Sequence, residues 1–103
     1  MAVSLQVLYP ATDGATFDYD YYLASHMGLV GEIMGPFFSG PPLVTKGLAG
    51  GPDVPAGYFA TASMTFADQD ALNGALGAAG PVLADIPNYF SGAPEMLIGE
   101  VIG

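Results

Sequence analysis

Cysteine is absent from the 103 residues. Its absence removes disulfides, thiolate nucleophiles, zinc knuckles and iron–sulfur ligation together. Positive charge is almost absent: a single lysine, no arginine and one histidine stand against ten acids, for a net charge of −9. Such a chain repels polyanions, which excludes nucleic-acid binding and argues against anionic membrane surfaces. Charge of either sign is scarce, at 11% of residues where about 25% is usual. With 51% of residues apolar, part of the surface is expected to be hidden against another subunit. No long apolar run occurs. The segment from Met27 to Val44 carries Glu32 and is broken by Gly31, Gly35, Pro36, Gly40, Pro41 and Pro42, whereas a membrane span needs about 20 continuous residues. No positive residue precedes the apolar start of the chain, so a secretory signal is not expected and a cytoplasmic protein is.

What is present fits one domain over residues 1–103. Val3, Leu5, Val7 and Tyr9 alternate with Ser4, Gln6 and Leu8, which predicts a strand ended by Pro10. Asp13-Gly14 marks a turn. Asp18 caps the helix that follows, with Phe17 as a hydrophobic staple. In that helix Leu23, Met27, Val30 and Met34 form the expected buried stripe, flanked by Tyr22, His26, Leu29 and Ile33. Gly35-Pro36 ends it. A second strand is expected over Pro41 to Leu48, with its prolines pointing to an edge or a bulge. Tyr58 to Phe66 alternates most clearly. Asp68 caps a second helix with Leu72, Ala75, Leu76 and Ala79 inward and Gly80-Pro81 as its stop. Val82 to Phe90 is short, helical or irregular. A last strand spans about Met96 to Ile102.

The order strand, helix, strand, strand, helix, strand is the ferredoxin-like βαββαβ pattern of the α+β class. It predicts a four-stranded antiparallel sheet with two helices on one face. The other face, with Phe59, Leu8 and Phe37 or Phe38 beside Ser and Thr, suggests a homodimer through the sheet faces.

His26 is the only side chain whose ordinary pKa lies near neutrality. It fits a boundary histidine held by a hydrogen bond as well as a general acid or base. Tyr22, one turn earlier, and Asp85, before Ile86-Pro87, are the residues expected to orient it or to donate to a developing enolate oxygen. Asp85 fits a turn as well. Six tyrosines, with Tyr19, Tyr21 and Tyr22 clustered, suit an aromatic ligand pocket or an interface. Asp18, Asp20, Asp68 and Asp70 fit helix capping rather than catalysis. Lys46 suits a charge-balancing surface position better than a Schiff base. Residues 47–51 lack the Gly-Lys-Ser/Thr ending of a phosphate loop. With one histidine and no spaced acidic loop, no metal site is expected. No serine stands in a nucleophile elbow.

Several pieces taken in order resemble the EthD family. They are Tyr9-Pro10, Phe17-Asp18, Tyr21-Tyr22, His26-Met27 and Leu29-Val30, then Asp85-Ile86-Pro87-Asn88-Tyr89, Pro94 and Ile98-Gly99-Glu100-Val101. The resemblance covers nearly the whole chain and is weakest over residues 35–57. Gly28 stands where the family pattern has proline. The resemblance implies a dimeric α+β barrel, in which two sheets pack face to face. The family's namesake is linked to bacterial degradation of ethyl tert-butyl ether. Related barrels include cyclases, decarboxylases and dehydratases of polyketide-like or aromatic substrates, and monooxygenases that need no metal or flavin. Two functions are therefore expected of this chain. One is cofactor-independent chemistry on a small hydrophobic or aromatic metabolite, with His26 as general acid or base. The other is a non-catalytic ligand-binding or accessory role, supporting a partner oxygenase or catabolic pathway. A purely structural dimer would leave no open pocket beside His26.

Overall fold

The alternation of the first strand translates directly into burial. In β1 (Val3–Pro10), Val3, Leu5, Val7 and Tyr9 are buried and the residues between them are half-buried. The computed structural model describes residues 1–103. β1 pairs antiparallel with β3 (Tyr58–Phe66) and with β4 (Glu95–Glu100), and β3 pairs antiparallel with β2 (Leu43–Lys46). The sheet order is β2-β3-β1-β4. β2 is shorter than Pro41 to Leu48, and β4 ends before Val101. The expected edge position of β2 holds.

The register sets the core. Val3, Leu5, Val7 and Tyr9 lie opposite Phe66, Met64, Ala62 and Ala60, so one face presents large and small side chains in alternation. Ala60 and Ala62 leave room above the sheet, and the first helical segment fills part of it with Tyr22.

That segment covers residues 19–33. Asp18 caps it by accepting the Tyr21 N–H, and Phe17 packs its ring 5.1 Å from Tyr22 as the staple requires. Between α-helical turns at Tyr19–Tyr21 and Met27–Ile33 lies a π turn, Tyr22–His26, closed by a bond from the Met27 N–H to the Tyr22 carbonyl. The extra residue in the turn corrects the expected stripe. Leu23 is 60% exposed, while Tyr22 and His26 enter the core ahead of Val30 and Met34.

The second helix, Gln69–Ala78, is capped by Asp68, which accepts the Ala71 N–H. It packs over β1 and β3. Leu72, Ala75 and Ala79 are buried, but Leu76 stays on the rim. The second helix ends at Ala78, just before the Gly80-Pro81 stop. A third short helix, Gly80–Asp85, then opens, in which Pro81 occupies the first turn, where its missing N–H costs nothing. A 3-10 turn, Ile86–Asn88, follows.

Three aromatic residues expected on the second sheet face are elsewhere. Phe37 packs against Gly74, and Phe38 meets Phe66 edge-on at 5.5 Å. Phe59 sits at the register shift between Tyr9 and Pro10, and its ring stacks on Phe17 at 5.7 Å. The second face instead carries Leu8, with Leu43 67% and Leu97 58% exposed, among serine and threonine. No helix is long and apolar enough to cross a membrane.

Candidate functional site

The π turn brings His26 under the sheet, 3% exposed, with Tyr22 stacked against it at 5.5 Å and 17° between planes. The end of the third helix supplies Asp85. His26 Nδ1 lies 3.0 Å from Asp85 Oδ2. The other carboxylate oxygen accepts hydrogen bonds from the Tyr21 hydroxyl at 2.7 Å and the Asn88 amide at 2.9 Å. Bonds from Asn88, Tyr21 and His26 hold the Asp85 carboxyl below the usual carboxylate range, so it is ionised. An ionised acceptor at Nδ1 fixes the tautomer: Nδ1 carries the proton and Nε2 carries the lone pair. Burial pushes the His26 pKa down, and Asp85 opposes that only in part, so the ring is neutral near pH 7.

Nε2 is also occupied. The Tyr89 hydroxyl sits 3.1 Å from it and 2.7 Å from the Tyr9 hydroxyl. Burial raises the pKa of both phenols, so both stay protonated. Tyr22 behaves differently. It is 1% exposed, and its hydroxyl is buried close to the Tyr9 hydroxyl without a well-formed hydrogen bond to any partner. A buried donor left unpaired costs about 1–3 kcal/mol, which an incoming oxygen would recover.

Beside His26 lies an apolar cavity of about 60 Å³ between the helices and the sheet. Its wall includes Tyr9, Tyr22 and His26, and 15 of its 16 lining residues are hydrophobic. Every methionine except Met1 lines it. The volume is below the roughly 150 Å³ that holds a benzene. Methionine side chains are flexible enough to re-pack around a larger guest. The mouth opens toward β4. Met96 pairs with Val7 and so faces the helices, yet it is half-exposed, as are Leu76 and Leu83 nearby on the rim. Tyr22 also borders a second groove, of about 260 Å³, with Tyr19, Leu23, Val44, Lys46 and Ala60. There Lys46 is exposed, with its ammonium 4.5 Å from the centre of the Tyr19 ring.

Of the three site residues expected from sequence, the structure joins His26 and Asp85 directly. It places Tyr22 against the imidazole face, without a hydrogen bond. Tyr9, Tyr21, Asn88 and Tyr89 were not expected in these roles. The tyrosine count and the Asp85-Ile86-Pro87-Asn88-Tyr89 run were the available signals. No group of three or more metal-ligating side chains gathers anywhere in the chain, so His26 and Asp85 stand as an isolated pair.

No protein-family model and no curated protein matches the chain. Solved structures do. An EthD-like protein from Ralstonia eutropha JMP134 is 33% identical, with a TM-score of 0.88 over 99% of this chain and 93% of that one. The chain belongs to the EthD family. A second EthD family protein, from Bacillus halodurans C-125, is 21% identical, with a TM-score of 0.73 over 99% of this chain and all of the other. SnoaB, a cofactor-independent oxygenase from Streptomyces nogalater, shares the fold at 11% identity, with a TM-score of 0.65 over 99% of this chain and 94% of its own. The ferredoxin-like α+β architecture of EthD proteins is thus the one found here. Gly28, where the resemblance raised an expectation of proline, lies within an unbroken helical turn. Orientation of His26 is left to Asp85 and Tyr89.

Proposed function

We propose that this EthD protein binds a small apolar or aromatic carbonyl compound in the cavity beside His26 and moves a proton on it without metal or flavin. The observation that carries this reading is the His26–Asp85 pair. A neutral imidazole, backed by an ionised carboxylate at 3.0 Å, forms part of the wall of an otherwise apolar cavity. That pairing supports a general base, because Asp85 stabilises the imidazolium that proton uptake would form. An enolate is the intermediate shared by cyclase-, decarboxylase- and dehydratase-type chemistry: loss of a proton beside a carbonyl forms it in the first and last, and loss of carbon dioxide forms it in the second, where proton transfer then quenches it. The fold shared with a cofactor-independent oxygenase is consistent with it.

A non-catalytic carrier or accessory role is the second reading, and one observation favours it: both ring nitrogens of His26 are already bonded within the protein. Deuterium exchange separates the two. With 1-indanone as probe in D2O, the wild type is expected to exchange the hydrogens beside the carbonyl and His26→Ala to lose that catalysis, by about 100-fold or more. Binding of the ketone without any exchange would leave only the carrier reading. We further propose a homodimer through the second sheet face, on the exposure of Leu43 and Leu97 there.

A further inference from the structure

The only basic lone pair of His26 already accepts a hydrogen bond. Nδ1 is held by Asp85 and Nε2 by Tyr89. Tyr89 does not line the cavity, whereas Tyr9 does. We propose that Tyr9 and Tyr89 form a proton relay joining a ligand in the cavity to His26, a role that rests on the proton transfer proposed above.

The directions follow from Asp85. Because Nδ1–H donates to the carboxylate, Nε2 must accept, and Tyr89 O–H is its donor. The Tyr89 oxygen then accepts from the Tyr9 O–H at 2.7 Å. Tyr9, a residue of the cavity wall, is left as the outer end of the chain of hydroxyls. In the step, a ligand C–H beside a carbonyl breaks and its proton joins the Tyr9 oxygen. The Tyr9 proton passes to Tyr89, and the Tyr89 proton passes to Nε2. The electron pair left on carbon moves to the carbonyl oxygen as an enolate. His26 ends as an imidazolium paired with Asp85, and both phenols end neutral. Burial makes either free phenolate costly, so the transfers are coupled. The buried, unpartnered Tyr22 hydroxyl is the group that would donate to the enolate oxygen. The ligand class is therefore an apolar ketone or related carbonyl compound with an acidic neighbouring C–H.

The test measures 1-indanone exchange in D2O together with ketone binding, read from the His26 Hε1 resonance. Tyr9→Phe and Tyr89→Phe are expected to slow exchange about 100-fold, with binding changed by no more than about twofold. A misfolded or merely repacked site would lose binding as well, and that result would overturn the relay. Exchange kept in Tyr9→Phe but lost in His26→Gln would overturn the relay and leave direct transfer by His26. No exchange by the wild type would overturn both the relay and the proton transfer beneath it. A separate measurement needs no variant: nitrogen NMR of the wild-type imidazole should show Nδ1 protonated. A proton on Nε2 would reverse the bonds and overturn the relay.

Discussion

At the scale of the residue, the site is a set of hydrogen-bonding needs met in one place. Asp85 is satisfied by three donors, His26 by one acceptor and one donor, and Tyr22 by none. The buried imidazole has a consequence for stability. Its folded pKa lies below the ordinary value of 6.5, so the unfolded chain binds the proton more readily. Its contribution is complete above pH 6.5 and is lost as pH falls from there through the folded pKa. Asp85 acts in the same direction at lower pH, since its carboxyl is also held down. Thermal melts should therefore show a falling midpoint below pH 6.5 in the wild type, and His26→Gln should remove the first part of that fall. Identical pH dependence in the two proteins would refute the burial account. Sequence exposed His26 because it is the single imidazole, and Asp85 was a weighed candidate. Tyr89 was hidden among six tyrosines. Only the fold, which brings residues 63 positions apart within 3.1 Å, distinguishes it.

At the scale of the element, β1 and β3 were legible because strict alternation fixes which side chains go inward. Both helix starts were legible too, since Asp18 and Asp68 cap where an aspartate at such a position should. The π turn was not legible. An extra residue in one turn rotates everything before it, so the regular spacing that pointed to Leu23 as buried fails there. The break at Gly80-Pro81 was read as a stop, because proline cannot follow within a helix but can begin the next. Gly28 and Gly31 in the first helical segment sit where nothing crowds them, whereas Gly74 in the second helix is held against the Phe37 ring. Gly31 is exposed, and an added Cβ would meet no atom within 4 Å. Gly31→Ala should stabilise the protein by about 0.5–1 kcal/mol in a denaturant titration. A loss of stability would mean that the helix needs the flexibility of glycine next to the π turn.

At the scale of the whole molecule, the low charge content and the fold meet at the second sheet face. Four strands with helices on one side leave Leu8, Leu43 and Leu97 without cover from the chain itself. The homodimer proposed for this face should sediment at twice the chain mass, and Leu43→Lys with Leu97→Lys should return it to monomer. A wild-type monomer at high concentration would contradict that assembly. The cavity lies on the opposite side of the sheet, between β1 and the helices, so a dimer formed this way would leave its mouth at β4 open. The central claim is that His26 is neutral and buried and that its hydrogen-bonded surroundings respond to a ligand in that cavity. Proton NMR of the single imidazole from pH 5 to 9, with and without 1-indanone, tests it most directly. The account predicts a midpoint below 6.5 and a shift of the His26 Hε1 signal when the ketone is added. An ordinary midpoint, with no response to the ketone, would contradict it.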